Sequence, residues 1–172
     1  MRNTKLASFV GGIDALSEWS GKIISYLLVV AIGALLYEIV ARYFFRSPTI
    51  WAHEASLLLF GAYAVMLGAY AHVHKAHVNM DLFYNRWSIR TRAIVDVLTF
   101  FIFIFWCGAL LWWGTSFAIK SVKFLEHSTT AWGPPIWPLK LMLPLGTFLL
   151  FLQGAAKFIR DLSIAITGRE LE

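Results

Sequence analysis

The stretch Val97–Ile119 reads VLTFFIFIFWCGALLWWGTSFAI, without one charged residue. A helix needs about 20 such residues to cross roughly 30 Å of hydrocarbon, and this stretch supplies them. Three further apolar blocks surround it. The first runs from Ile23 to Phe45 and carries Glu38 and Arg42 towards its end; the second, Trp51 to Ala71, is uncharged after Glu54. The fourth, Ile136 to Ala156, has Lys140 near its start. Shorter alternating segments, which an outer-membrane barrel requires, are missing from the pattern. A helix satisfies its own backbone in lipid. The sequence therefore predicts an all-α integral membrane protein with four transmembrane helices, spanning about 23–45, 51–71, 97–119 and 136–156, in a single membrane domain.

Composition agrees. The chain has 172 residues, 59% of them hydrophobic and only 15% charged, against about a quarter charged in soluble domains. That excludes an ordinary soluble enzyme and a disordered chain. The net charge of +5 raises nucleic acid as a partner, but in a membrane protein excess Lys and Arg set orientation. The lone Cys107 lies inside an apolar block, where it is a packing residue and builds no intrachain disulfide.

The cations divide unevenly. Arg2, Lys5, Lys22, Lys75, Arg86, Arg90, Arg92, Lys157, Arg160 and Arg169 fall on one side of the expected spans, and Arg42, Arg46, Lys120, Lys123 and Lys140 on the other. Ten against five places both termini and the central loop in the cytoplasm, with the 157–172 tail. Residues 1–22 lack the apolar core and cleavage site of a signal peptide. Leu6, Phe9, Val10, Ile13 and Leu16 recur at helical spacing instead, which predicts an amphipathic helix lying along the membrane surface. Asn85–Asp96 alternates basic with apolar residues and predicts a second segment docked on anionic headgroups rather than nucleic acid.

Glu38 and Arg42 stand four apart, acid first, a favourable pair on one helix face. The turn after them is short, so Glu54 should return to the depth of Arg42 and complete a Glu38–Arg42–Glu54 network. Such a network reads either as a lock between two helices or as a relay for ions; its confinement to one end favours the lock. Trp51 suits the outer interface. Gly61, Ala64, Gly68 and Ala71 form a small-residue stripe on the second helix, fitted for close helix approach. Pro144 should bend or loosen the fourth helix.

His72, His74 and His77 raise a metal site, but Lys75 sits among them and Asp81 is the nearest carboxylate. A haem reading would need facing imidazoles, for which His53 and His127 are the candidates. A small proton-driven exporter would use Glu38. No phosphate loop or catalytic constellation appears in the sequence, so neither an enzyme nor a bound cofactor is expected.

Taken in order, Arg42-Tyr43, Trp51-x-x-Glu54, Leu67-Gly68-Ala69, His77-Val78-x-Met80-Asp81, Trp137-Pro138 and Leu143-Pro144-x-Gly146 resemble the small membrane subunit of tripartite ATP-independent periplasmic (TRAP) transporters. The resemblance runs from about Ile23 to Ile159. His53 departs from it, standing where the family often has a second acid. The resemblance implies a scaffold subunit in the inner membrane, bracing a large elevator-type membrane subunit that holds the substrate and sodium sites. A periplasmic substrate-binding protein would deliver an organic acid. Glu38, Arg42, Trp51, Glu54, Gly61, Gly68, His77 and Asp81 are then structural and interaction residues, with membrane lipids as further partners.

Overall fold

The computed structural model describes residues 3–74 and 89–167. They form four helices: α1 (Asn3–Tyr43), α2 (Ala52–Val73), α3 (Ile89–Lys123) and α4 (Trp137–Thr167). Among the described residues β-type pairing is confined to one isolated antiparallel bridge, His127 with Pro135. The short turn after α1 and the loop after α3 close two antiparallel hairpins at the same end of the molecule. α1 packs on α2, α2 on α4, and α4 on α3. The helices therefore stand in a row ordered α1, α2, α4, α3, with the second and fourth at its centre.

Among the described residues three helices are long and apolar enough to cross a membrane: Val10–Tyr43 in α1, Ile94–Lys123 in α3 and Trp137–Ile164 in α4. α2 contributes the shorter apolar run Ala52–Gly68. The side chains are arranged inside out relative to a soluble bundle. The buried apolar residues are mostly small, including Ala31, Ala41, Ala52, Ala62, Ala118, Ala156 and Cys107, while Tyr26, Val29, Phe101, Phe105, Trp112 and Trp113 are exposed. Lipid tails are as apolar as a leucine side chain, so hydrophobicity alone does not draw helices together in a membrane. Small residues that let backbones approach do.

The tightest seam joins α2 to α4. A Cβ on Gly146 would stand 2.7 Å from the carbonyl oxygen of Val65, a backbone atom that cannot swing aside. Gly154 and Gly21 are filled differently: the Phe103 ring of α3 covers the first and the Tyr70 ring of α2 covers the second. Beside Gly154, Phe100 stacks on Phe158 at 4.1 Å, joining α3 to α4. The predicted stripe is partly displaced. Gly61 and Gly68 do face α4, at Leu139 and Leu150, but with ordinary 3.8 Å clearance, and Ala64 is exposed.

Residues 3–22 do not form a helix of their own. They continue without a break into the first apolar block, making α1 41 residues long, or about 61 Å at 1.5 Å per residue. The reason lies in what the apolar stripe meets. N-terminal to Gly21, α1 changes neighbour from α2 to α4, and Val10 and Ile13 pack with Ala156, Leu152 and Ile159. Polar groups fix the same contact: Ser17 Oγ donates to Gln153 Oε1 at 3.3 Å, Gln153 Nε2 to Asp14 Oδ1 at 2.7 Å, and Arg160 to Asp14. Ser17 and Gln153 are almost wholly buried. In the second segment read as amphipathic, Ile89–Asp96 belongs to the start of α3, and Asp96 pairs with Lys157 of α4 at 2.8 Å. Residues 85–88 lie outside the described residues. α4 runs through Pro144 as one continuous helix.

The Gly146 seam gives a direct test. Gly146→Ala should destabilise the detergent-purified chain by about 1–3 kcal/mol through overpacking. Gly33→Ala, where an added Cβ meets nothing within 4 Å, should leave the melting temperature unchanged or slightly raised. Equal melting curves for both variants would contradict the seam.

Candidate functional site

The predicted pair of Glu38 and Arg42 forms, and Glu38 does more than pair. Its Oε1 accepts from Arg42 Nε at 3.0 Å and from Arg42 Nη2. Its Oε2 accepts from the Thr49 backbone N–H at 3.0 Å and from the Thr49 hydroxyl. The carboxylate is 3% exposed as part of its residue, while half of the Arg42 side chain reaches solvent. Arg46 takes a left-handed conformation (φ 51°), and Ser47 N–H returns to Ala41 O at 3.0 Å. These bring Thr49 back beside α1. Thr49 Oγ1 also accepts from Ala52 N–H at 3.3 Å, holding one of the donors that a helix start leaves without an intrahelical partner. One buried carboxylate thus ties the end of α1 to the beginning of α2.

Glu54 is not part of this network, a correction to the expected triad. Its Oε2 accepts from Thr130 Oγ1 at 2.6 Å, so it binds the α3–α4 loop. Thr49 occupies the place that Glu54 was expected to fill. The displacement follows from backbone geometry: the turn bends back at Arg46 and supplies an N–H and a hydroxyl before α2 begins, so Arg42 needs no second acid. Trp51 makes the matching aromatic bridge. It stacks on Tyr37 of α1 at 5.7 Å and meets Trp132 of the loop at 6.5 Å. Glu54 and Trp51 therefore couple the first hairpin to the second.

That loop is fixed at its own base. Ile136 N–H donates to Glu126 O at 3.0 Å and Ser128 N–H to Pro134 O at 2.8 Å. Lys140 Nζ reaches Glu126 Oε2 at 2.6 Å and lies 4.1 Å over the Phe117 ring. The hydrogen bond from Lys140 holds the Glu126 carboxyl below its ordinary range. A cavity of about 480 Å³ opens between the loop and α2, lined by Leu58, Leu59, His127, Trp132 and Pro134 among others. His53 and His127 are both exposed, and His127 Nδ1 lies 2.6 Å from Leu125 O, within its own turn. Gly61 and Gly68 sit on the α2–α4 seam. His77 and Asp81 lie outside the described residues.

Sequence reading missed Thr49, Thr130, Asp14, Ser17 and Gln153. Thr49 carried a signal, since Ser, Thr, Asp and Asn before an apolar run mark a helix start. Gln153 carried another as an amide inside an apolar block, where a polar group needs a partner. Among the described residues the acids of this arrangement, Glu38, Glu54 and Glu126, are engaged in holding helix ends and loop, and large apolar side chains of α1 and α3 face outward. If the clamp is as described, Thr49→Val should lower the melting temperature by on the order of 5 °C, and a double-mutant cycle should couple Thr49 to Glu38 but not Glu54 to Arg42. Coupling between Glu54 and Arg42 would restore the triad and contradict the clamp.

Comparison with known proteins agrees with these features. Residues 31–163 match the family described as tripartite ATP-independent periplasmic transporters, DctQ component. The chain is also similar to the sialic acid TRAP transporter permease protein SiaT of Haemophilus influenzae (strain 86-028NP), 38% identical over 99 residues. That match covers 54% of this chain but only 15% of the relative, so the chain corresponds to a small part of that permease. The matched family region takes in the Glu38 clamp, the Gly146 seam and the α3–α4 loop, and the chain belongs to the DctQ component family of tripartite ATP-independent periplasmic transporters.

Proposed function

We propose that the chain is the small scaffold subunit of a secondary active TRAP transporter that imports an organic acid across the bacterial inner membrane. In this reading it braces a large elevator-type membrane subunit, and a periplasmic binding protein delivers the substrate. All four helices cross the membrane, α2 included, with both termini cytoplasmic. Family membership supports the class of transporter. The observation that carries the bracing role is the inside-out packing, with small residues in the seams and large apolar side chains directed outward from α1 and α3. A carrier that moves within the bilayer needs a partner that stays put, and wide apolar faces on a clamped row of helices provide one.

The polar groups support the same division of labour. Buried Ser56 and Thr147 bond to carbonyls of their own helices, His53 O at 2.7 Å and Leu143 O at 2.8 Å. Glu38 has both carboxylate oxygens engaged. A transport site is instead built from broken helices and polar groups near the midplane. His77 and Asp81 are assigned to shaping the cytoplasmic turn, and Glu38, Arg42, Trp51, Glu54, Gly61 and Gly68 to holding the row together.

The experiment is reconstitution with the large membrane subunit and binding protein of the same transporter, starting with sialic acid as substrate because the relative's name includes it. The chain should co-purify with the large subunit, and uptake into proteoliposomes should require all three components. Undiminished uptake without this chain would contradict the scaffold role. Transport by this chain alone would establish the exporter, and a Soret band lost on mutating His53 or His127 would establish a haem subunit.

A further inference from the structure

α3 packs on α4 along Cys107, Gly114, Ala118 and Ser121, all buried. On its outward side a groove of about 360 Å³ lies between Gly108, Leu111, Trp112, Thr115 and Ser116. A Cβ on Gly108 would meet nothing within 4 Å, so the groove is open relief on the helix surface. Its floor is apolar in character, and the Ser116 hydroxyl is turned back to Trp112 O at 2.9 Å.

Beyond the groove, towards the end of α3, stand Lys120 and Lys123, both exposed. Ser116, Lys120 and Lys123 follow one another at spacings of four and three, so the rim of the groove and both cations share one helix face. Of the other cations at this end of the molecule, Arg42 has Glu38 and Lys140 has Glu126, while Arg46 is exposed in the α1–α2 turn, away from the α3 groove, and has no ion pair among the described residues. Neither Lys120 nor Lys123 has an ion pair among the described residues. Phe124 follows them, 82% exposed. Two unpaired cations and an exposed ring at the end of an apolar helix mark the level of lipid headgroups.

We infer that this face is a binding site for an anionic phospholipid, with its phosphate against Lys120 and Lys123 and an acyl chain in the Gly108–Ser116 groove. The spacing fits. At 1.5 Å per residue, Lys123 stands roughly 10 Å above Ser116 and 22 Å above Gly108. That is the distance from headgroup to chain within half of a roughly 40–45 Å bilayer. Charge complementarity selects the lipid over a partner helix, which would fill the groove but leave both lysines without an anion. The inference rests on α3 lying in the membrane with this face turned to lipid, which leaves the proposed bracing contacts to the other outward faces of the row, and it is independent of which solute is transported.

The test is native mass spectrometry of the full chain released from nanodiscs of equal phosphatidylglycerol and phosphatidylcholine. The wild-type chain should retain phosphatidylglycerol in preference. Gly108→Leu, which fills an open position, should reduce retention of both lipids. Lys120→Ala and Lys123→Ala should lower phosphatidylglycerol retention by about fivefold per lysine and leave phosphatidylcholine unchanged. Continued protection of buried Cys107 from maleimide shows that each variant is folded. Wild-type protein without a headgroup preference, or folded variants that hold phosphatidylglycerol like wild type, would overturn the site. So would a Gly108→Leu chain that keeps the lipid but loses the large subunit, since the groove would then seat a partner helix.

Discussion

The molecule depends on how closely the backbones of α2 and α4 can approach. Gly146 lies against the Val65 carbonyl with no room for a methyl group. These two helices are the centre of the row: α1 packs on α2 and, towards its N-terminus, on α4, and α3 packs on α4. In water such a contact would be one among many, secondary to burial of large side chains. In a bilayer the large side chains gain nothing by turning inward, so close backbone contact and directed polar bonds have to hold the helices. The small buried residues and the exposed aromatic faces are two consequences of that one solvent.

Directed bonds then fix the ends of the row. At the end holding both hairpin connections, Glu38 joins α1 to the turn before α2, Glu54 and Trp51 join that hairpin to the α3–α4 loop, and Lys140 holds the loop to α4. At the opposite end, Asp14, Ser17, Gln153 and Arg160 tie α1 to α4, and Asp96 with Lys157 ties α3 to α4. Polar clamps at both ends and small-residue contacts between them are what would keep the row from shearing in the proposed scaffold role. This is the property that a scaffold for a moving carrier requires.

Much of this was legible in the sequence, for identifiable reasons. The apolar blocks fixed four helices because length and hydropathy are local properties. Glu38 and Arg42 were legible because their spacing places them on one helix face whatever surrounds them. Gly61 and Gly68 face leucine side chains of α4 at ordinary clearance rather than a close backbone, and the tighter contacts at Gly146, Gly154 and Gly21 depend on which backbone or ring stands opposite, which spacing within one helix does not encode. Glu54 was misassigned because its place near the start of α2 does not reveal which neighbour its side chain faces, here Thr130 of the α3–α4 loop. The N-terminal segment was read as a surface helix because its apolar stripe matched one; the same stripe also matches a helix packed on α4, and only Gln153, a polar group inside the fourth block, hinted at that.

In the proposed scaffold role the row stays rigid while the large subunit moves. Spin labels on exposed Ile39 of α1 and Trp113 of α3 report the width of the row, and Cys107, the chain's one cysteine, is buried and can be replaced by serine. Electron–electron resonance between these labels in the reconstituted transporter should give one distance distribution, unchanged on adding sodium and substrate-loaded binding protein. A second distance populated under transport conditions would show that the row itself moves, and would contradict its role as a brace.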